Sequence, residues 1–185
     1  MKRSVPILAA WFAVAAGAFA QQTPAIPVGE VGFDYSFFHI HSSLNAPGVN
    51  ENGGGGYFEY NLNRIIGLVG DIGAYNSSAV GQTTVTYLFG PRLNWRKGRF
   101  TPYTQFLVGG AHASSNTAQV TTGQNAFAAA FGGGLDIALT HRISLKPVQV
   151  EYLITELPGF TGGAANIQNN LRISAGVVLR FGEKK

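Results

Sequence analysis

Apolar and polar residues alternate along most of the chain with a period of two, which is typical of β-strands with one apolar and one polar face. In the last such stretch, every second side chain from Leu171 to Phe181 is apolar, and Arg172 and Arg180 lie on the other face. Helical patterns are nearly absent. We therefore predict an all-β fold with eight strands, which cover approximately residues 28–40, 56–62, 65–75, 83–95, 100–113, 125–139, 143–155 and 169–182.

The connections between these segments alternate in length. Three are tight turns at residues 61–64, 96–99 and 140–142, and Lys146 and Pro147 predict a bulge at the start of the seventh segment. The alternation predicts an antiparallel up-and-down transmembrane β-barrel with both termini at the turn end, the layout of outer-membrane barrels. The other connections are longer and rich in Gly, Ser, Asn and Thr, as loops are, and they cover residues 41–56, 76–83, 114–125 and 156–169.

The distribution of charge indicates which face of each strand contacts lipid. Charged residues make up only 12% of the chain, against about 25% in soluble domains. A basic residue facing lipid near the membrane midplane costs about 2–4 kcal/mol, and a soluble ligand-binding barrel would have an apolar interior and a charged exterior. The strand charges fall on the polar face, so we predict a lumen filled by a polar salt-bridge network of Glu30, Asp34, Glu59, Asp71, Arg92, Asp136, Glu151, Arg172 and Arg180.

Aromatic and basic residues mark the ends of the predicted barrel. Trp95, Phe100 and Phe181 lie near the turn end, and Tyr57 and Tyr75 are assigned to the loop end. This arrangement predicts aromatic girdles at the two membrane boundaries, with the ordinary preference of strands for aromatic residues as the alternative. The basic residues assigned to the turns and the tail are Arg64, Arg96, Lys97, Arg99, Arg142, Lys184 and Lys185.

The N-terminus has the features of a secretory leader. Lys2 and Arg3 precede an apolar run at residues 5–20, which ends in the small-residue motif Ala18-Phe19-Ala20. A retained membrane anchor is the alternative, but the run is short for a span of about 20 residues. The predicted parts are a signal peptide at 1–20 cleaved near Ala20, a periplasmic lead at 21–27, the barrel at 28–182 and a short tail at 183–185.

The last strand and two hairpins resemble a known family. The terminal LRISAGVVLRF is similar to the C-terminal assembly signal of outer-membrane proteins, in which alternate hydrophobic residues end on an aromatic one. Residues 87–112 and 131–139 resemble hairpins of OmpA-type eight-stranded barrel domains. The resemblance implies a Gram-negative outer membrane, contact with its lipid, and recognition of Leu179 and Phe181 by the barrel-assembly machinery. The peptidoglycan-binding domain that often follows such barrels is not transferred to this chain.

These observations favour a non-enzymatic envelope protein without cofactors. An eight-stranded barrel is just wide enough for side chains to fill its interior, so we predict a structural role or a surface role of the long loops, in a monomer. The absence of cysteine and a formal net charge of +4, two charges of which lie in the leader, give no support for a cysteine-based metal site or for nucleic-acid binding. The four glycines at 53–56 lack the Lys and Ser/Thr of a phosphate-binding loop.

Two other functions stay open at this point. One is a narrow ion-conducting pore, which would use the charged residues of the lumen. The other is a lipid-modifying enzyme, which needs a nucleophile and a positioned base. Its candidate base residues are His39, His41 and His112, which are also the candidates for a metal site, and its candidate nucleophiles are Ser42, Ser43, Ser114 and Ser115.

Overall fold

The chain forms a closed barrel of eight antiparallel strands, which confirms the predicted fold class. In the computed structural model, each strand pairs with the next along the chain, and β1 pairs with β8 to close the barrel. The structure describes residues 26–41, 49–77, 81–117, 120–158 and 165–183. The strands are β1 (Gly29–His41), β2 (Val49–Asn61), β3 (Ile66–Ser77), β4 (Gln82–Asn94), β5 (Phe100–Thr117), β6 (Val120–Ala138), β7 (Ile143–Pro158) and β8 (Ala165–Phe181).

Closure leaves every strand with a hydrogen-bonded partner on both sides. The β1–β8 register runs from Gly29 opposite Phe181 to His41 opposite Asn169. A closed sheet has no free edge that could pair with another chain. The predicted leader at 1–20, most of the lead at 21–27 and the last two residues of the tail lie outside the described residues.

The strands extend further toward the loop end than the sequence pattern predicts. The predicted loop at 114–125 is wrong, because β5 and β6 continue as a hairpin to the pair Thr117 and Val120. Residues 114–125 are mostly small and polar, so the alternation of apolar and polar residues that identifies a strand is absent from this part of the sequence. The predicted loop at 41–56 is wrong in the same way, because the four glycines at 53–56 lie within β2, paired to β1 and β3.

The predicted bulge in the seventh strand is confirmed. The register between β7 and β8 shifts between Lys146 and Gln149, and the register between β6 and β7 shifts between Leu135 and Ile137. Pro147 lies within the first shift, where no ladder hydrogen bond from its nitrogen is needed.

The outer wall of the barrel is apolar and its inner wall is largely polar. Within the described ranges, no helix has the length and hydropathy needed to cross a bilayer. The assignment of Tyr57 and Tyr75 to a loop-end girdle is wrong, since both side chains are buried inside the barrel. Large apolar side chains are exposed on the outside of all eight strands, for example Phe33, Phe58, Ile72, Phe89, Phe106, Phe131, Val150 and Leu179.

Candidate functional site in the barrel lumen

The period of two places the charged strand residues on the inner wall. Because successive side chains of a strand point to opposite faces, an outward Phe33 requires an inward Asp34, and an outward Ile173 requires an inward Arg172. The side chains of all nine residues of the predicted network face the lumen and are largely buried there: Glu30, Asp34, Glu59, Asp71, Arg92, Asp136, Glu151, Arg172 and Arg180.

A continuous chain of hydrogen bonds crosses the middle of the lumen. Arg92 Nη1 lies 2.9 Å from Glu59 Oε2, and Arg92 Nε donates to Gln105 Oε1 at 2.7 Å. Gln105 Nε2 donates to Glu151 Oε1 at 2.6 Å. We refer to this chain, together with the Arg172 contacts described next, as the central network; its members are Glu59, Asp71, Arg92, Gln105, Glu151 and Arg172.

Arg172 on β8 extends the network across the barrel to β3. Its Nε donates to Glu151 Oε2 at 2.7 Å, and its Nη1 donates to Asp71 Oδ1 at 2.9 Å and to the Tyr75 hydroxyl at 2.7 Å. The network therefore connects β2, β4, β5, β7, β8 and β3 through side chains alone. Charge-assisted bonds of this length are roughly twice as strong as bonds between neutral groups.

Aromatic rings enclose the guanidinium of Arg92. Its central carbon lies 4.5 Å from the ring centroid of Tyr57 and 4.2 Å from that of Tyr103. Tyr57 in turn lies against the backbone of Gly32, where a Cβ would come within 2.0 Å of the ring. The absence of a side chain at Gly32 therefore leaves the space that the Tyr57 ring fills. The cation–π contacts of Arg92 with Tyr57 and Tyr103 add to its ion pair with Glu59.

Lys146 also belongs to the lumen, although the sequence analysis did not place it there. Its Nζ lies 3.3 Å from Asp34 Oδ2, donates to Gln149 Oε1 at 2.7 Å and lies 4.0 Å from the Tyr57 ring centroid. The bulge interrupts the alternation just after this residue and obscured its orientation. Alternation from the outward Leu145 provides the sequence signal that places Lys146 inside.

A second ionic cluster lies near the turn end. Arg96 Nη2 lies 3.0 Å from Glu30 Oε1 and 2.7 Å from Asn61 Oδ1, and Arg180 Nε lies 3.8 Å from Glu30 Oε2. The assignment of Arg96 to the turn is correct for its backbone but wrong for its side chain, which turns into the lumen. Asp136 is buried between the two clusters and interacts electrostatically with cations of both.

An apolar cluster lies on the loop side of the central network. Leu107 and Leu153 each lie one inward position nearer the loop end than the network residue of the same strand, and Ala130 is the cross-strand partner of both. Phe38 stacks on Tyr75 with ring centroids 5.1 Å apart. We refer to Phe38, Leu107, Ala130 and Leu153 as the apolar collar, which the sequence analysis missed.

The histidines of the enzyme hypothesis do not form one site. His39 Nδ1 lies 2.5 Å from Asn50 Oδ1, and His112 Nδ1 lies 2.8 Å from Asn125 Oδ1. The two histidines occupy β1 and β5, which lie on opposite sides of the eight-stranded ring. Ser114 donates to the Thr83 carbonyl at 3.5 Å.

Ser42 and Ser43 lie outside the described residues, as do the side chains of His41 and Ser115. Among the residues that the structure describes, no three His, Asp or Glu side chains form a group that could hold a metal ion.

Comparison with known proteins gives a family and several similar folds. The outer membrane protein beta-barrel domain family matches residues 7–181. Neisserial surface protein A superposes with a TM-score of 0.67 at 14% identity, over 83% of this chain and 97% of that one. The attachment invasion locus protein Ail of Yersinia pestis gives 0.59 at 13% identity, over 84% and 100%. The N-terminal β-barrel domain of Pseudomonas aeruginosa OprF gives 0.55 at 13% identity, over 82% and 97%. No curated protein sequence matches the chain.

Proposed function

Because the chain belongs to the outer membrane protein beta-barrel domain family, we propose that it is a non-enzymatic integral protein of the envelope with a sealed lumen. The family and the similar folds indicate the Gram-negative outer membrane as its location. In this proposal the barrel supports the envelope and displays its loop end as an interaction surface. It acts as a monomer without cofactors.

The proposal of a sealed lumen is supported by the continuity of the central network. Its side chains reach from β2 to β8 through the middle of the barrel, with each link between 2.6 and 2.9 Å. The buried Leu107 and Leu153 of the apolar collar lie nearer the loop end than the network residues of their strands, and the cluster around Glu30 lies on the turn side. An eight-stranded barrel of this width has no room for an aqueous channel beside such side chains.

The orientation and the assembly of the barrel follow the same proposal. Outer-membrane barrels place their short turns in the periplasm, so the turn end with both termini faces the periplasm and the β5–β6 hairpin projects outward. The leader is removed near Ala20. Leu179 and Phe181 form the signal for the barrel-assembly machinery, and both are exposed on the outer wall of β8.

The loop end is proposed as the site of any surface ligand. Ail has been crystallised with the heparin analogue sucrose octasulfate, and that complex superposes on this chain with a TM-score of 0.53 at 14% identity. The stretches 4–63, 65–91, 100–141 and 147–171 of this chain contain no Lys or Arg, and they include all four loop-end connections. A polyanion is therefore not the ligand that we propose for this chain. Polar, uncharged contacts fit its loop end better.

Conductance measurements test the sealed lumen against the pore alternative. Protein purified from outer membranes, and shown to be folded by heat-modifiable gel migration, is added to planar bilayers. We expect no stable single-channel conductance. Stable conductance that changes in Arg92→Gln or Asp136→Asn, but not in the turn variant Arg64→Gln, would establish a pore and contradict the proposal.

The non-enzymatic role has its own test. His39→Ala and His112→Ala are expected to leave folding, surface assembly and membrane lipid composition unchanged, because each ring pairs with a neighbouring asparagine on the outer wall. Loss of a lipid modification in either variant, with unchanged heat-modifiable migration, would instead support an enzyme.

A further inference from the structure

The two ends of the barrel differ sharply in exposed charge. Among the described residues, every exposed or partly exposed Lys and Arg lies at the turn end. Arg64 lies in the β2–β3 turn, Lys97 and Arg99 lie in the β4–β5 turn, and Arg142 lies in the β6–β7 turn. Glu183, which contacts His141 there, is the one exposed acid among the residues whose side-chain burial the structure describes.

Exposed apolar side chains accompany the basic residues in each turn. In the sequence, Leu62 and Ile65 lie on either side of Arg64, and Trp95 and Phe100 lie on either side of the β4–β5 turn. Leu139 and Ile143 lie in the same way on either side of Arg142. The exposed fractions of these flanking side chains lie between 39% and 53%. Apolar and aromatic anchors beside basic residues are typical of a membrane boundary, where the apolar group enters hydrocarbon and the cation stays at the level of the headgroups.

The basic turns form an open ring at the turn end of the barrel. They follow β2, β4 and β6, so two strands separate neighbouring turns, and the remaining junction between β8 and β1 carries the chain ends and Glu183. A folded protein partner would contact one sector of this ring, whereas lipid surrounds it on all sides. None of Arg64, Lys97 and Arg142 forms an ion pair with another described residue, so their charges are available to an external anion.

We propose that Arg64, Lys97 and Arg142 form a ring that binds the headgroups of anionic phospholipids in the periplasmic leaflet. The inference rests on the proposed function, because the orientation of the barrel assigns the turn end to that leaflet. Each basic residue near an anionic lipid surface favours binding by about 1 kcal/mol, which corresponds to roughly fivefold. The ring therefore gives the barrel a preference for anionic lipid at its turn end and none at its loop end.

Fluorescence quenching at Trp95 tests the proposal at one turn. The chain contains two tryptophans, and Trp11 lies in the leader that we propose is removed, so Trp95 is the one tryptophan of the mature protein. Folded protein is reconstituted into dioleoyl phosphatidylcholine vesicles that contain either brominated phosphatidylglycerol or brominated phosphatidylcholine. We expect the anionic quencher to be enriched around Trp95 by up to about fivefold for the charge of Lys97, and the enrichment to fall as salt is raised.

Three variants make the test specific. Lys97→Gln is expected to lose most of the enrichment, and Lys97→Arg is expected to keep it. Arg142→Gln removes a charge of the same ring in a different turn, so quenching at Trp95 should change little. Equal loss in Lys97→Gln and Arg142→Gln would contradict local headgroup binding.

The outcomes separate this inference from the function on which it rests. Heat-modifiable protein that is quenched equally by both lipids would overturn the lipid ring and leave the sealed barrel intact. Co-sedimentation with purified peptidoglycan that depends on Lys97, without lipid preference, would assign the ring to the cell wall instead. Protein that is never heat-modifiable, or that fractionates with soluble periplasm, would contradict the proposed function itself.

Discussion

The turn half and the loop half of the lumen are filled in different ways. In the turn half, long charged side chains reach across the barrel, as Lys146 does to Asp34 and Arg96 does to Glu30. The loop half has the apolar collar and hydrogen bonds on nearby strands that involve no cation, such as Asn170 Nδ2 to Thr155 Oγ1 at 3.0 Å and Thr84 Oγ1 to the buried Glu51 Oε1 at 3.3 Å. All ion pairs among buried lumen side chains of the described residues lie in the central network or closer to the turns.

The two halves therefore fill the same kind of interior space with different kinds of side chain. A barrel interior must be filled, because a void removes the contacts of the side chains that line it. Long charged residues fill the width of the turn half and connect strands that are not neighbours, but each depends on its partner. Apolar residues fill the loop half without such dependence. Removing one charged side chain should therefore lower the free energy of unfolding more than removing one apolar side chain.

The largest effect is expected for Arg172→Met. The substitution leaves Glu151 and Asp71 buried without the cation that both contact, and breaking a buried ion pair costs about 3–5 kcal/mol. Urea unfolding in detergent micelles, followed by the shift between folded and unfolded gel bands, measures the change. Arg172→Lys is the control and should recover part of the loss. A cost below about 1 kcal/mol for Arg172→Met would show that water solvates the two carboxylates.

A smaller effect is expected for Leu107→Ala in the apolar collar. Leu107 is fully buried against Ala130, and truncation of such a residue costs about 2–4 kcal/mol through lost burial and the cavity that remains. The same urea titration measures it, with the outward Phe106→Ala as a control that removes lipid contact only. If Leu107→Ala lowers the free energy of unfolding as much as Arg172→Met does, the charged side chains of the turn half depend on their partners no more than the apolar collar does.

The sequence predicts the strands and the inward or outward direction of their side chains better than it predicts which side chains pair inside the barrel. The period of two identified all eight strands, and it put Arg92, Arg172 and Glu151 on the face that the structure places inside. It did not reveal the partners, because pairing across the lumen depends on strand stagger and not on distance along the chain. The alternation also fails where nearly every residue is small and polar, as in residues 114–125, and where a bulge follows Lys146.

A double-mutant cycle on Arg92 and Glu59 sharpens the comparison further. The two side chains contact each other at 2.9 Å in the fully buried lumen, so their effects on the free energy of unfolding should not add. We expect a coupling energy of about 1–3 kcal/mol between Arg92→Met and Glu59→Gln. The reference cycle combines Arg92→Met with Leu153→Ala in the collar. Equal coupling in both cycles would indicate a general disturbance of the lumen and not a specific ion pair.

The smallest effect is expected where the loop half uses a single neutral hydrogen bond. Asn170→Ala removes the donor to Thr155 Oγ1, and the net contribution of such a bond is about 1 kcal/mol. Thr155→Ala removes the acceptor of the same bond, so the double variant should be hardly less stable than either single variant in the urea titration. Because the bond joins neighbouring strands and crosses no part of the lumen, neither variant should conduct ions in planar bilayers. Conductance in Asn170→Ala would mean that the loop half seals the barrel, and that the central network alone does not.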